Sequence, residues 1–95
     1  AAAAHALYRC AQEALTNVAR HSGARRAWVS QHATNGVATL LVEDDGQGLP
    51  EDHAPHLGLL GMRERVGAAG GDLTLGTSGR GGLRIEARVP LGGAT

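Results

Sequence analysis

The sequence is poor in cysteine and aromatic side chains and has no lysine. Cys10 is the single cysteine among 95 residues, which excludes an internal disulfide and a zinc site built from four thiolates. Phenylalanine is absent, and Tyr8 and Trp28 are the only aromatic side chains. The core must therefore be built mainly from Ala, Leu and Val, with Cys10 as a small buried hydrophobe and Trp28 as an anchor. We expect marginal stability.

The sequence also lacks net charge and long apolar runs. Nine basic and nine acidic residues cancel, which removes the positive field that a non-specific nucleic-acid binder needs, so we expect no direct nucleic-acid partner. The apolar stretches are far shorter than the roughly 20 residues that cross a bilayer, and no secretory signal is evident. We expect one domain, residues 1–95, that is not membrane-inserted. It would be a cytoplasmic piece of a longer protein, which can itself be membrane-anchored.

Hydrophobic spacing predicts two helices and two β-hairpins. The first helix is predicted over about residues 4–21, and its buried stripe contains Leu7, Cys10, Ala11, Ala14, Leu15 and Val18. The second covers residues 59–69 and ends at Gly70-Gly71. Strands are predicted at 26–32 and 37–43 around Thr34-Asn35-Gly36, and at 72–77 and 83–89 around a glycine-rich turn. Residues 44–56 read as a long loop. The expected fold is α+β, a two-layer sandwich with both helices on one face of a mostly antiparallel sheet, in a strand order that the pattern leaves open.

A first polar cluster lies late in the first predicted helix. Glu13 and Asn17 are four residues apart, and Arg20 and His21 continue the same side one turn later, opposite the apolar stripe. Carboxylate and amide oxygens suit Mg²⁺, and the cations would offset phosphate charge. Because any amphipathic helix has a polar face, an ordinary solvated face is the favoured interpretation of this segment alone.

A second cluster follows the second predicted strand. Asp44 stands at the strand end, and Gly46 and Gly48 come directly after it. A carboxylate held there can accept a hydrogen bond from an exocyclic amine such as that of adenine, while the glycines let the backbone approach the base. An ordinary Asp-Gly turn or a loose cation-binding loop explains the residues equally well.

A third cluster places Gly58 and Gly61 three residues apart at the entry to the second helix. Backbone N–H groups at a helix N-terminus attract phosphate, and glycine removes side chains that would block its approach. The pattern is neither a P-loop nor a dinucleotide fingerprint, and singly it is weak.

The three clusters together, in this order, resemble the Bergerat-type ATP-binding domain shared by sensor histidine kinases, gyrase and the ninety-kilodalton heat-shock chaperones. Residues 12–22, Gln-Glu-Ala-Leu-Thr-Asn-Val-Ala-Arg-His-Ser, resemble the N box of the kinase subfamily whose response regulators carry LuxR-type DNA-binding domains. Residues 58–65, Gly-Leu-Leu-Gly-Met-Arg-Glu-Arg, resemble the second glycine box of that subfamily and are its most specific signature. The resemblance extends from about residue 7 to 91.

The resemblance implies a role for each matching residue. Asn17 would ligate Mg²⁺, and Arg20 and His21 would lie beside the phosphates. Glu13 is the candidate catalytic residue, since it matches the general base of the hydrolysing relatives, although its role in a kinase is open. Asp44 would accept the adenine amine. The remaining members of the implied nucleotide site are Gly46 and Gly48 in the base pocket, a short ATP lid at 49–57, and Gly58, Leu59, Gly61 and Met62 in the second glycine box.

The implied function is that of the catalytic domain of a sensor histidine kinase, with ATP and Mg²⁺ as cofactors. It would present the γ-phosphate to a histidine on a separate helical dimerisation domain, and a response regulator would follow as partner. The chain holds no acceptor histidine of its own, so we expect it to bind ATP without phosphorylating itself. Two alternatives stay open: an autonomous ATP hydrolase using Glu13, and a degenerate module that serves only for docking.

Two residues depart from the family pattern, and several others have plainer interpretations. Asp45 replaces the usual Asn and would add negative charge beside the nucleotide, and Leu83 replaces the usual Thr, whose hydroxyl supports the adenine contact. The remaining residues are expected to be solvated, namely His5, His32, His53, His56 and the pair Arg25-Arg26. Because the strand that commonly precedes the first helix in this family is missing, one sheet edge should be exposed.

Overall fold

The computed structural model describes residues 2–19, 23–46 and 59–91. In these ranges the chain forms, in order, α1 (Ala2–Asn17), β1 (Ala27–Thr34), β2 (Val37–Asp44), α2 (Leu59–Ala68), β3 (Asp72–Thr77) and β4 (Leu83–Pro90). The four strands form one sheet in the order β1-β2-β4-β3, and every neighbouring pair is antiparallel. Helix α1 packs on β2 and β4, and α2 packs on β3 and β4. The expected two-layer α+β fold is confirmed, and the strand order is now defined.

The first hairpin turns where the sequence predicts. Asn35 and Gly36 have φ angles of 54° and 77°, the left-handed pair that a two-residue type I′ turn requires. Thr34 pairs with Val37 directly beside this turn, because the twist of a type I′ turn matches that of the flanking strands. The first strand therefore continues to Thr34, two residues beyond its predicted end.

Helix α2 ends at the predicted glycine pair. Gly70 has a φ of 85°, its N–H donates to the carbonyl oxygen of Gly67 at 2.9 Å, and the Gly71 N–H donates to that of Val66 at 2.9 Å. These two bonds are the Schellman pattern, which satisfies the last carbonyls of a helix. A Cβ on Gly71 would overlap the carbonyl oxygen of Arg88, so glycine also permits close packing of this corner against β4.

The core lies between the helices and the sheet. Its main members are Leu7, Cys10 and Ala14 of α1, Leu40 and Val42 of β2, Met62 and Val66 of α2, Leu73 of β3, and Leu83, Ile85 and Val89 of β4. Cys10 contacts Met62 through their sulfur atoms at 3.7 Å, and burial raises the pKa of the Cys10 thiol to about 11. Leu15 was wrongly predicted to be buried. It is 42% exposed, because each residue turns about 100° around a helix and Leu15 follows the buried Ala14.

Trp28 is not the core anchor that we predicted. It pairs with Glu43, whose neighbours Val42 and Asp44 face the helices, so Trp28 lies on the opposite face of the sheet. There it is half-buried beneath the Arg80 guanidinium, which lies 3.8 Å from the ring centroid. β1 is an edge strand with mostly exposed side chains, as expected for one edge of the sheet.

The smaller expectations are met where the structure describes them. His5, His32, Arg25 and Arg26 are exposed, as predicted, and Cys10 is fully buried. Among the described residues, neither helix is long and apolar enough to cross a bilayer.

Candidate functional site

Three separate segments meet at one end of the sandwich, which we call the Asp44 end because β2 finishes there. Helix α2 finishes at the opposite end, where Gly70 and Gly71 touch Pro90 and Arg88, so its first turn points toward the Asp44 end. Helix α1 runs antiparallel to α2. Its early residues His5 and Ala6 lie beside the last residues of α2, and Cys10 meets Met62 halfway. Asn17, the last residue of α1, therefore also lies at the Asp44 end.

Asp44 is buried and rigidly held. Its side chain belongs to a residue that is only 2% exposed, and its Oδ1 accepts hydrogen bonds from the backbone N–H groups of Gly46 at 2.9 Å and Leu83 at 3.2 Å. Oδ2 accepts no hydrogen bond from any described residue. A buried carboxylate with one oxygen fixed by backbone groups is suited to accept a hydrogen bond from a ligand amine through the other.

Gly82 makes this arrangement possible. A Cβ on Gly82 would overlap Oδ1 of Asp44, and it would lie 2.5 Å from the Asp44 carbonyl oxygen and 2.6 Å from the Gly46 nitrogen. The turn between β3 and β4 thus passes directly over the carboxylate. Only a residue without a side chain allows the Leu83 N–H to reach Asp44, which explains one glycine of the predicted glycine-rich turn.

Asn17 is placed differently from the predicted polar face. It is 5% exposed and continues the buried stripe of Cys10 and Ala14, because positions 10, 14 and 17 follow helical steps of four and three. The prediction that Asn17 lies opposite the apolar stripe was therefore wrong. Glu13, by contrast, is half-buried on the side of the helix. Asn17 still lies at the Asp44 end of the sandwich.

The donors at this end fit a Mg²⁺ ion brought by a polyphosphate. Among residues 2–19, 23–46 and 59–91, no three His, Cys, Asp or Glu side chains gather closely enough to cage a metal. Mg²⁺ typically retains several waters and takes one or two protein oxygens together with substrate phosphates. A single amide oxygen such as that of Asn17 fits this mode of binding.

The first turn of α2 supplies backbone groups more than side chains. Leu59 is 2% exposed and Met62 is completely buried against Cys10, so a contact of either residue with a nucleotide would come from its backbone, and their assignment to the nucleotide site stays a prediction. Gly61 is half-buried, and a Cβ there would meet only the Arg65 Nη1 atom, at 3.9 Å. Packing among the described residues therefore does not require glycine at position 61. The first N–H groups of a helix have no acceptor within the helix itself, so they are the groups of this turn that can bind a phosphate.

The two departures from the family pattern have structural explanations. The Asp45 carboxylate turns toward the segment before β1, where Oδ1 accepts the N–H groups of Arg25 at 2.9 Å and Arg26 at 3.1 Å. These bonds, that of Arg26 foremost, lower the pKa of Asp45. The carboxylate is thus bound by backbone N–H groups and keeps its negative charge, and the expectation that this charge lies beside a nucleotide stays a prediction. Leu83 places its side chain in the core and supports Asp44 through its backbone N–H, which needs no hydroxyl.

Part of the predicted site lies outside the described residues. This holds for Arg20, His21, Gly48 and Gly58, for the lid at 49–57, and for the loop histidines His53 and His56. Their assignments stay predictions.

The sequence reasoning missed a polar cluster on the outer face of the sheet, the face away from the helices. Arg80 lies over Trp28 and its Nε is 3.9 Å from Oε1 of Glu43, while Ser78 donates a hydrogen bond to Oε2 of Glu43 at 3.1 Å. The available signal was the strand alternation, since Glu43 must face away from its neighbour Asp44.

Comparison with known proteins places this geometry in context. A family model described as "Histidine kinase-, DNA gyrase B-, and HSP90-like ATPase" matches residues 2–93. The chain is 39% identical over 85 residues to the signal transduction histidine-protein kinase/phosphatase UhpB of Salmonella typhimurium, and 35% identical over 91 residues to DegS of Bacillus subtilis. These matches cover 88% and 90% of this chain but 17% and 24% of the two relatives, so the chain spans about a quarter of their length or less.

Solved structures agree with the sequence relatives. The crystal structure of the ATP binding domain of PrrB from Mycobacterium tuberculosis matches with a TM-score of 0.78 at 26% identity, over 90% of this chain and 67% of that one. The NMR structure of the histidine kinase domain of the E. coli osmosensor EnvZ matches with a TM-score of 0.69 at 30% identity, over 90% of this chain and 64% of that one.

Proposed function

The chain belongs to the histidine kinase-, DNA gyrase B- and HSP90-like ATPase family as an ATP-binding catalytic domain of the sensor histidine kinase type, and we propose that it presents the γ-phosphate of Mg-ATP to a histidine on a separate helical dimerisation domain. The observation that carries this proposal is the buried Asp44 carboxylate, fixed by two backbone N–H groups at the same end of the fold as Asn17 and the first turn of α2.

Each residue would contribute to positioning. Oδ2 of Asp44 accepts the adenine amine, and the Leu83 side chain supplies apolar surface nearby. The amide oxygen of Asn17 ligates Mg²⁺, which neutralises charge on the phosphates, and the N–H groups at the start of α2 orient those phosphates. Phosphoryl transfer depends largely on such positioning and charge neutralisation, so a site without a covalent nucleophile suffices.

The names of the relatives favour a kinase over an autonomous hydrolase or a docking module, since both are named signal transduction histidine-protein kinase/phosphatases. We propose that Glu13 is catalytic within that kinase and that a response regulator receives the phosphoryl group. We also place the domain in the cytoplasm, where ATP is available and Cys10 stays reduced. Because the acceptor histidine belongs to another domain, incubation with γ-labelled ATP should leave no covalent label on this chain. Label that survives denaturation would contradict this division of roles.

A test compares ATP binding with and without Mg²⁺ in two amide variants. In the unchanged chain, chelating Mg²⁺ should weaken ATP binding measured by titration calorimetry. Asn17→Ala should bind ATP with lower affinity and lose most of this Mg²⁺ dependence, because the amide ligand is gone. Gln12→Ala is the matched control, since Gln12 carries the same amide on the same helix but is exposed.

The outcomes separate the elements of the proposal. Absence of ATP binding by the unchanged chain would refute the proposed function. Retention of the full Mg²⁺ dependence in Asn17→Ala, with ATP binding intact, would refute the metal assignment alone.

A further inference from the structure

The polar cluster on the outer face of the sheet joins two strands and one turn. Its members are Trp28 of β1, Glu43 of β2, and Ser78 and Arg80 of the turn between β3 and β4, and we call it the outer cluster. Ser78 is 3% exposed, and its hydroxyl donates to Glu43 Oε2 at 3.1 Å while accepting the Arg80 N–H at 3.0 Å. The Arg80 guanidinium stacks on Trp28 at 3.8 Å and faces Glu43 at 3.9 Å. The turn is thus attached to both β1 and β2.

The same turn reaches the opposite face of the sheet at Asp44. Glu43 and Asp44 are consecutive residues on β2, so their side chains point to opposite faces. The turn wraps around the end of β2: Ser78 binds Glu43 on the outer face, and Leu83 donates its N–H to Asp44 on the inner face. Glu43 and Asp44, which are consecutive on β2, therefore bind the turn at its first residue and directly after its last residue.

The turn needs this attachment because of its composition. Residues 78–82 are Ser-Gly-Arg-Gly-Gly, and glycine has the greatest backbone freedom of any residue. Within the turn, Ser78 N–H donates to the Gly82 carbonyl oxygen at 2.7 Å and Gly81 N–H to that of Ser78 at 3.0 Å. Gly82 packs against Oδ1 of Asp44 without room for a methyl group. A small displacement of the turn would therefore move the Leu83 N–H and the carboxylate that it holds.

We propose that the outer cluster, and Arg80 in particular, positions Asp44 for adenine without touching the nucleotide. This proposal rests on the proposed function, because it assigns Asp44 to the base. Arg80 holds the glycine-rich turn against Trp28 and Glu43, the turn holds the Leu83 N–H, and that N–H fixes Oδ1 of Asp44. Loss of Arg80 then weakens recognition of the base more than recognition of the phosphates.

The experiment measures binding of ATP and inosine triphosphate, which has a carbonyl oxygen in place of the adenine amine. The variants are Arg80→Gln and Arg80→Lys, which restores a cation. Arg88→Gln is the matched control, because Arg88 lies on the same face, has the same charge and, among the described residues, forms its ion pair with Glu86 at 3.7 Å. The free energy of one exposed cation–π contact, when it is lost from binding, corresponds to about a two- to fivefold change in the dissociation constant. We expect Arg80→Gln to lower the preference for ATP by that factor, Arg80→Lys by less, and Arg88→Gln not at all.

Trp28 provides a second, independent readout, since it is the single tryptophan of the chain. The emission of Trp28 should change in Arg80→Gln but not in Arg88→Gln. ATP added to the unchanged chain should also alter this emission, because Asp44 and Trp28 both contact the turn between β3 and β4.

Three results would overturn a part of this reasoning. An unchanged preference for ATP in Arg80→Gln, with a changed Trp28 emission, would refute the positioning role. An equal loss of both nucleotides together with a lower melting temperature would also refute it, because it indicates a purely structural role. If the unchanged chain binds no ATP, the proposed function fails, and this role fails with it.

Discussion

Replacing Asp44 with asparagine tests which purine the site selects. Oδ1 of Asp44 accepts two backbone N–H groups, from Gly46 and Leu83. In Asp44→Asn the amide oxygen must take the Oδ1 position, because an NH₂ group there would face two donors. The NH₂ group then takes the Oδ2 position and points toward the base as a donor. It cannot accept the adenine amine, but it can donate to the carbonyl oxygen of a 6-oxo purine.

The expected loss of ATP affinity follows from one hydrogen bond to a charged acceptor. Such a bond contributes about 1.5–3 kcal/mol, which corresponds to roughly a 10- to 150-fold change in the dissociation constant. Inosine triphosphate should lose little affinity or gain some. The melting temperature should change little, because both buried backbone N–H groups keep an acceptor in the variant.

Titration calorimetry with ATP and with inosine triphosphate, both at saturating Mg²⁺, measures the two affinities directly. Asp72→Asn is the matched control, since it removes the same charge from an exposed position at the other end of the sheet. Unchanged ATP affinity in a folded Asp44→Asn variant would refute the assignment of Asp44 to the base amine. An equal loss of both nucleotides would show instead that the carboxylate acts through charge alone.

Three further predictions concern glycines and the second aspartate. Gly82→Ala should abolish ATP binding, measured by titration, because its methyl group overlaps the adenine-binding carboxylate, whereas Gly79→Ala, with open space at its Cβ, should bind normally. Gly61→Ala and Gly67→Ala should each stabilise α2 by about 0.5–1 kcal/mol in urea unfolding, and only Gly61→Ala should weaken ATP binding. The lowered pKa of Asp45 means that its contribution to folding stability is present at neutral pH and is lost as the pH falls through that pKa. Unfolding followed from neutral to acidic pH should show a shallower loss of stability in Asp45→Asn, and an unaltered pH dependence would contradict the assignment.

Local features of the fold could be predicted from the sequence because neighbouring residues encode them. Asn35-Gly36 specifies a type I′ turn through its left-handed φ angles, and Gly70, which also has a left-handed φ angle, specifies the end of α2. The three polar and glycine-rich clusters have the order and the spacing of the family's motifs. The resemblance to the family is therefore visible in the sequence alone. Of the site residues, Asp44 lies at the end of β2, as the pattern indicated, whereas Asn17 is the last residue of α1 although the pattern placed it inside a longer helix.

The sequence did not allow us to predict in the same way which face of a helix or strand is covered by other elements. Strand alternation shows that Trp28 shares a face with Glu43, but only the packing of both helices over the other face leaves that side to solvent. The burial of Asn17 was misjudged for a similar reason, since it depends on the second helix and the sheet. Whether a residue is buried depends on which segments, distant in the sequence, pack against it.

The chemistry around Asp44 was decided by backbone atoms from far along the chain. Leu83 holds it at a sequence separation of 39 residues, and Asp45 is held by residues about 20 positions earlier. Every non-proline residue carries the same N–H group, so no pattern of side chains indicates which one will donate. Only strand order and register bring the glycine-rich turn to the end of β2, and that juxtaposition converts an ordinary Asp-Gly sequence into a fixed carboxylate.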